Sequence, residues 1–376
     1  MLALEPYYGG SHRAFLDGWR DHSRHRWTLL TLPAYKWKWR MRHAPVTFAE
    51  RWRDLPAQRW DVLLASDMLD LATFRGLVPL LAAVPAVLYF HENQLTYPVR
   101  RGHEGDGHFA FTNLTSALAA RELWFNSAFH RDELMAAWDG WLRRFPDHQP
   151  LGSLAGLASR LRVEPPGIAE PWALERRSDG SPLRVLWAAR WEHDKAPETF
   201  FAGVEAALDA GADLELSVLG ESFRDQPPVF EQARQRWGGR IRHWGWLEER
   251  EAYQRALAEA DVFVSTARHE FFGLSAVEAV AAGAFPLLPR RLAYPEVFAD
   301  FGADSFYGSG IPEDEGERLA QRLVELEGRH RGGSLWQGDR DRGRRAMARY
   351  SWSNRAPALD RALEVVADGS YEDLKR

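Results

Sequence analysis

The chain has 376 residues, 45% of them hydrophobic and 27% charged, enough to bury a sizeable core; at about 150 residues per domain it makes two or three domains. It holds no cysteine, which excludes disulfides, thiolate metal sites, iron–sulfur clusters and a cysteine nucleophile. The net charge of −5 excludes a protein that binds nucleic acid through bulk positive charge, but not one with a local basic surface.

In chain order, the apolar runs MLALE, WTLLTL, DVLLAS, AVLYFH and ELWFNS read as buried strands. Amphipathic stretches between them, such as His12–Arg24 and Asn113–Arg121, read as helices. Pro165–Pro182 is rich in Pro, Gly and Ser and reads as a linker over 166–182. Beyond it LRVLWAAR, LELSVLG, RIRHWG, DVFVST and AFPLLP are strand-like, with helices at Pro197–Ala210, Phe230–Trp237 and Glu249–Glu259. Buried strands alternating with helices predict α/β architecture with parallel sheets covered on both faces. The expected arrangement is two Rossmann-like domains, 1–165 and 183–350, facing a central cleft. Ligands then belong in the loops after the strands' carboxyl ends.

Charge divides along the same line. Residues 1–165 hold 20 Lys/Arg against 17 Asp/Glu, a net of +3, and residues 166–376 carry −8. The longest nearly apolar run, Leu77 to Phe90, has 14 residues, short of the ~20 that a membrane span needs. MLALEPYYGG has no basic start and no long apolar stretch, so it does not read as a signal peptide, and a cytoplasmic location is expected.

Two cations, Arg190 and Lys195, lie in the loop after the first strand of the second half. They suit a diphosphate, and they equally describe two solvated surface charges. Further on, Glu270 sits in a loop and Glu278 lies eight residues later in a helix. Phe272, Gly273 and Leu274 fall at the entrance of that helix, where free N–H groups and the dipole can hold a phosphate. Ser275-x-x-Glu278 also fits a capping box, and Gly283 a helix stop.

Arg190-x4-Lys195 with Glu270-x7-Glu278 in HEFFGLSAVEA resembles the donor site of GT-B glycosyltransferases of the family 4-like group. The resemblance implies that Arg190 and Lys195 contact the diphosphate of a sugar nucleotide. It places Glu270 by the sugar and Glu278 on the ribose hydroxyls. HWGW, His243–Trp246, lies where such enzymes cradle the base. Trp246 is assigned to the donor on that ground, though Trp244 and Trp246 also fit a core.

In the first half, Gly9 and Gly10 of EPYYGGSH permit a tight strand–helix turn that backbone and donor can approach closely. His91, in YFHENQLTYPV, sits at a strand's carboxyl end. A lone histidine is commonly structural; the glycosyltransferase resemblance places it near the donor sugar. EPYYGGSHRAFLDGW, TLPAYKWKWRMRHAPVTFAE, YFHENQLTYPV and WFNSAFHRDEL together resemble the tRNA-queuosine α-mannosyltransferases and their bacterial relatives. That narrower resemblance covers Met1 to about Phe298. It implies GDP-mannose as donor, no cofactor beyond it, and a queuosine-bearing tRNA anticodon loop as partner.

A physical check comes from Arg13–Arg59, which holds 11 Lys/Arg against four Asp/Glu. Within it Lys36, Trp37, Lys38, Trp39, Arg40 and Arg42 interleave cations with aromatic rings, as single-stranded RNA recognition requires. Their alternation also fits a β-strand with tryptophans inward and cations outward.

The expected chemistry is retaining transfer without a metal, by family resemblance. His91, Glu270, Arg190 and Lys195 are the catalytic candidates, and no dedicated nucleophilic carboxylate is assignable. The sole Asp-x-Asp, Asp339-Arg340-Asp341, lies in a charged stretch far from the expected site. The segment 351–376 resembles the final GT-B helices, which cross back to the N-terminal domain. Competing readings are the same donor chemistry on a small glycoside or lipid-linked sugar, a GT-B sugar-nucleotide epimerase or hydrolase, and a non-enzymatic RNA-binding module.

Overall fold

The computed structural model describes residues 1–98, 107–172, 181–222, 226–308, 314–339 and 341–369. The chain folds as two units: Met1–Gly167 with the segment that starts at Trp352, and Ile168–Ser351.

The first unit runs β1 (Leu2–Tyr8), α1 (Gly10–His22), β2 (Thr28–Pro33), α2 (Trp37–Arg53), β3 (Leu63–Ser66), α3 (Leu71–Leu77), β4 (Ala86–Phe90), α4 (Gly107–Ala119), β5 (Glu122–Phe125), α5 (Ala128–Leu142), α6 (Leu151–Ala155) and β6 (Leu161–Val163). Its strands form one parallel sheet in the order β2-β1-β3-β4-β5-β6. Both faces are buried, which is why the strands read as continuous apolar runs. Leu2, Leu4, Leu88 and Phe90 point to one face with Phe48 of α2 and Trp138 of α5. Ala3, Val87, Tyr89 and Trp124 point to the other, against Phe15 and Trp19 of α1.

The second unit runs β7 (Leu183–Ala188), α7 (Pro197–Asp209), β8 (Leu214–Leu219), α8 (Val229–Trp237), β9 (Ile241–Gly245), α9 (Arg250–Glu259), β10 (Val262–Val264), α10 (Leu274–Ala281), β11 (Phe285–Pro289), α11 (Tyr294–Val297), β12 (Phe306–Tyr307), α12 (Glu315–Arg331) and α13 (Arg342–Met347). The strands are again parallel, in the order β12-β11-β10-β7-β8-β9. That order reverses direction between β7 and β10, which makes the ends of these two strands the topological switch point.

The last helix, α14 (Trp352–Asp368), returns to the first unit and packs on α1. Trp19 Nε1 donates to Asp360 Oδ1 at 2.8 Å, and the same carboxylate accepts from Ser23 Oγ and the Arg24 amide. The Trp352 ring fills a slot between Gly18 and Gly167, where an added Cβ would stand 2.1 and 2.3 Å from it. Of the segment 166–182, Ile168 is buried and pairs with Ser351. Residues 173–180, Arg340 and the stretch 370–376 lie outside the described residues. No helix among the described residues is long and apolar enough to cross a membrane.

Candidate active site

In the second unit the expected donor residues gather at the switch point. Arg190 follows β7 and is exposed, 3.5 Å from Glu192. Lys195 follows in a short turn and is buried. Its Nζ donates to the His269 carbonyl at 2.7 Å and lies 3.1 Å from Asp194 and 3.4 Å from Glu270 Oε2. Burial opposes the Lys195 charge, but Glu270 and Asp194 outweigh it and hold the ammonium above the ordinary lysine range. Burial likewise opposes the Glu270 charge, and Lys195 reverses the effect and holds that carboxyl below its usual range. Both groups are charged at neutral pH. His269, pulled down to about 4 by burial and then by Lys195, is neutral.

Glu270 also fixes the start of α10, because its Oε1 accepts from the Gly273 amide at 3.2 Å. Gly273 is the N-cap residue at φ +87, and an added Cβ would stand 2.7 Å from the Tyr294 ring. Only glycine meets both demands. The first N–H groups of α10, from Leu274 onward, thus open beside the Lys195–Glu270 pair. Phe272 is buried with its ring edge-on to Tyr350. Its side chain is core, and what it offers the site is backbone.

The capping box does not form. The helix begins at Leu274, which places Ser275 inside it rather than at its cap. Ser275 donates instead to the Ala188 carbonyl, and Glu278 Oε2 accepts from Tyr253 of α9 at 3.0 Å. Burial pushes the Glu278 carboxyl up to about 7. Gly283 does end the helix: its amide bonds Val280 and the Ala284 amide bonds Ala279, a Schellman pattern. Trp244 is packed on Trp191 of the aromatic core, whereas Trp246 is 65% exposed and available to a ligand.

In the first unit, Gly9 and Gly10 make the β1–α1 turn. Ala34 would stand 2.5 Å from a Cβ on Gly9, so sheet packing alone demands glycine there. Gly10, at φ +50, faces open space. His91 directly follows β4, half-buried, with its amide on Asp67 Oδ1 at 2.9 Å. Three residues that the motifs do not single out meet it. Glu5 of β1 accepts from Ser66 Oγ and the Tyr7 amide. His12 Nδ1 donates to Glu5 Oε2 at 3.1 Å, and Asp67 is fully buried. The signal for Glu5 is legible as a carboxylate inside an apolar strand, which must find a partner.

The segment whose alternation also fits a β-strand is the start of helix α2. Met41, Ala44, Pro45, Phe48 and Ala49 are its buried side, at helical spacing. Trp37 is partly buried and packs on Phe109 of α4, with ring centroids 5.1 Å apart. Tyr35 and Trp39 are 61% and 60% exposed. Lys36 and Lys38 lie over the Tyr35 and Trp37 rings, and among the described residues neither has an acidic partner. Arg42 lies 4.9 Å over Phe109. Arg40 is committed to the Pro33 carbonyl and His43.

Comparison with known proteins places the chain in a family. Residues 1–168 match the family model described as tRNA-queuosine alpha-mannosyltransferase N-terminal, and 182–327 match glycosyl transferases group 1. The chain is 33% identical to a Drosophila melanogaster tRNA-queuosine alpha-mannosyltransferase over 79% of its own length and 81% of that protein. It is 31% identical to a Mycobacterium tuberculosis GDP-mannose-dependent alpha-(1-6)-phosphatidylinositol dimannoside mannosyltransferase over 34% of this chain and 33% of that one. A sucrose-phosphate synthase from Thermosynechococcus elongatus superposes with a TM-score of 0.68 at 14% identity, over 96% of this chain and 98% of that one. The fold is GT-B, the protein is a glycosyltransferase, and the chain belongs to the tRNA-queuosine alpha-mannosyltransferase family.

Proposed function

We propose that this enzyme transfers mannose from GDP-mannose to the queuosine nucleoside of a tRNA anticodon loop, with retention of anomeric configuration, in the cytoplasm. The single observation that carries the reading is the likeness to a tRNA-queuosine alpha-mannosyltransferase over most of both chains. The donor chemistry has separate support in the mycobacterial relative, named as GDP-mannose-dependent, and in the Lys195–Glu270 pair at the start of α10.

In this reading Lys195 and Arg190 neutralise the leaving diphosphate, with help from the N–H groups of α10. Glu270, Phe272, Gly273 and Leu274 line the sugar and phosphates. Glu270 accepts hydrogen bonds from sugar hydroxyls, Glu278 holds the ribose, and Trp246 meets the base. Gly9 and Gly10 let the β1–α1 turn approach the donor, and His91 hydrogen-bonds the sugar. The acceptor hydroxyl attacks on the face from which the diphosphate departs. Rate comes from positioning and from charge stabilisation of the leaving group. The exposed start of α2 holds the RNA: Lys36, Lys38 and Arg42 at phosphates and Trp39 on an unpaired base. Trp37 and Arg40 shape that surface from behind.

The test is transfer of label from GDP-mannose to tRNA that carries or lacks queuosine. Incorporation only into the queuosine-bearing tRNA supports the reading. Equal incorporation after ribonuclease treatment sinks it, and release of free mannose without RNA points to hydrolysis instead.

A further inference from the structure

We propose that His12 is a positioning residue for His91: anchored on Glu5, its ring backs the His91 ring and fixes how that ring meets the substrate. The proposal rests on the reading of His91 as a sugar contact.

The geometry is a cage open on one side. The His91 ring centroid lies 4.1 Å from His12, 4.6 Å from Tyr89 and 5.0 Å from Phe15. Neither ring nitrogen of His91 has a hydrogen-bond partner among the described residues, while its amide and carbonyl are both held, by Asp67 and Asn126. The backbone and the ring faces are thus fixed and the ring nitrogens are left for a ligand. His12 stands on α1 and reaches this place because the Gly9–Gly10 turn starts the helix directly beside the end of β1. Its Nδ1 is tied to Glu5, which is tied in turn to Ser66 and the Tyr7 amide. The Tyr7 ring closes the far side of His12, edge-on at 5.9 Å.

Glu5, His12 and His91 offer ligand atoms within 4.8 Å of one another, a spacing that also suits a metal ion. The ring planes lie only 36° apart at 4.1 Å, so their in-plane lone pairs run side by side and converge poorly on one ion. Charge explains the stack better. Burial lowers His12, and Glu5, Asp67 and Glu92 more than reverse this, raising it to about 9. Burial and the facing charge of His12 hold His91 well below the ordinary histidine range. One ring therefore carries a fixed charge and its neighbour meets the substrate neutral.

The test uses the full chain labelled with 13C histidine. In the wild type the His91 ring titrates well below the ordinary histidine range. In His12→Gln its titration moves up toward the ordinary histidine range, the acid limb of the kcat/KM profile moves up with it, and kcat/KM falls about 100-fold. A merely structural role for His12 moves neither titration nor acid limb. An unmoved His91 titration in His12→Gln, with His91→Ala inactive, overturns this proposal alone. Wild-type turnover in His91→Ala overturns both it and the sugar-contact reading beneath it. Should His12→Gln fail to fold, the wild type decides: a His91 ring that titrates at or above the ordinary value overturns the proposal.

Discussion

Tyr253 on α9 donates its phenolic hydrogen to Glu278 on α10 across 3.0 Å, and it is the sole hydrogen-bond donor, among the described residues, to a carboxyl that burial raises to about 7. A carboxyl whose folded value lies above its unfolded value binds its proton more tightly when folded, so it costs stability as pH rises. The cost is absent below the ordinary carboxyl range and complete above about pH 7. Glu278→Gln removes it. The substitution is expected to stabilise the fold on the order of 3 kcal/mol at pH 8 and hardly at pH 4, read from thermal melts at both.

If Glu278 holds the donor ribose as proposed, the same titration governs donor binding. A ribose hydroxyl bonds the ionised carboxylate more strongly than the neutral acid. GDP-mannose should bind the wild type about tenfold tighter at pH 8 than at pH 6, and this dependence should vanish in Glu278→Gln. Calorimetry at the two pH values measures it, and a flat wild-type profile would remove Glu278 from the nucleoside site.

Lys195 and Glu270 hold opposite charges inside the fold, so removing either leaves the other unpaired. Lys195→Ala should cost about 3 kcal/mol of stability while folding remains cooperative. Turnover should fall about 10²- to 10³-fold, as for loss of one group that stabilises developing charge. Glu270→Ala should also lose turnover. Denaturant melts beside initial rates check both, and wild-type rates in the two variants refute the assignment.

On α2 the neighbouring tryptophans should behave oppositely. Trp39→Ala should weaken tRNA binding by about 1–3 kcal/mol and leave the melting temperature unchanged, because its ring is exposed. Trp37→Ala should lower stability, because its ring packs on Phe109. Charge reversal at Lys36 and Lys38 should weaken tRNA binding, flatten its salt dependence and spare GDP-mannose. Filter binding across a salt series separates these outcomes.

Asp360 collects three donors from α1 and the turn after it. Asp360→Ala leaves the buried Trp19 N–H without its acceptor and should destabilise the protein by about 3 kcal/mol or more. Urea unfolding measures the loss.

How much of this is legible in the sequence follows from what each residue type signals on its own. Most of the strands announce themselves because both sheet faces are buried and the runs are continuously apolar. Leu161–Val163 is three residues with a charged Arg162 at its centre, and Phe306–Tyr307 is two residues long, so neither makes a pattern. The helix at 37–53 is ambiguous because the first residues of YKWKWRMRH happen to alternate. Its helical side becomes evident only farther on, at Ala44 and Phe48. The switch-point residues stand out by spacing, since charged groups must follow strand ends to face a ligand. His12 and Tyr253 give no such sign. Each sits in a stretch that reads as ordinary helix or loop, and only the strand order places it beside its partner.

The Trp352 slot and the Asp360 knot bear on the order of assembly. Domains tend to fold as they leave the ribosome, N-terminal first. Here α14 is synthesised after the whole of the second unit, yet its docking surface is α1, near the start of the chain. The first sheet must therefore wait, with Trp19 and the Gly18–Gly167 slot uncovered, until the second unit has been translated. During that interval one flank of the nascent protein offers exposed indole and aliphatic surface to chaperones, and arrest of synthesis anywhere before Trp352 leaves it exposed.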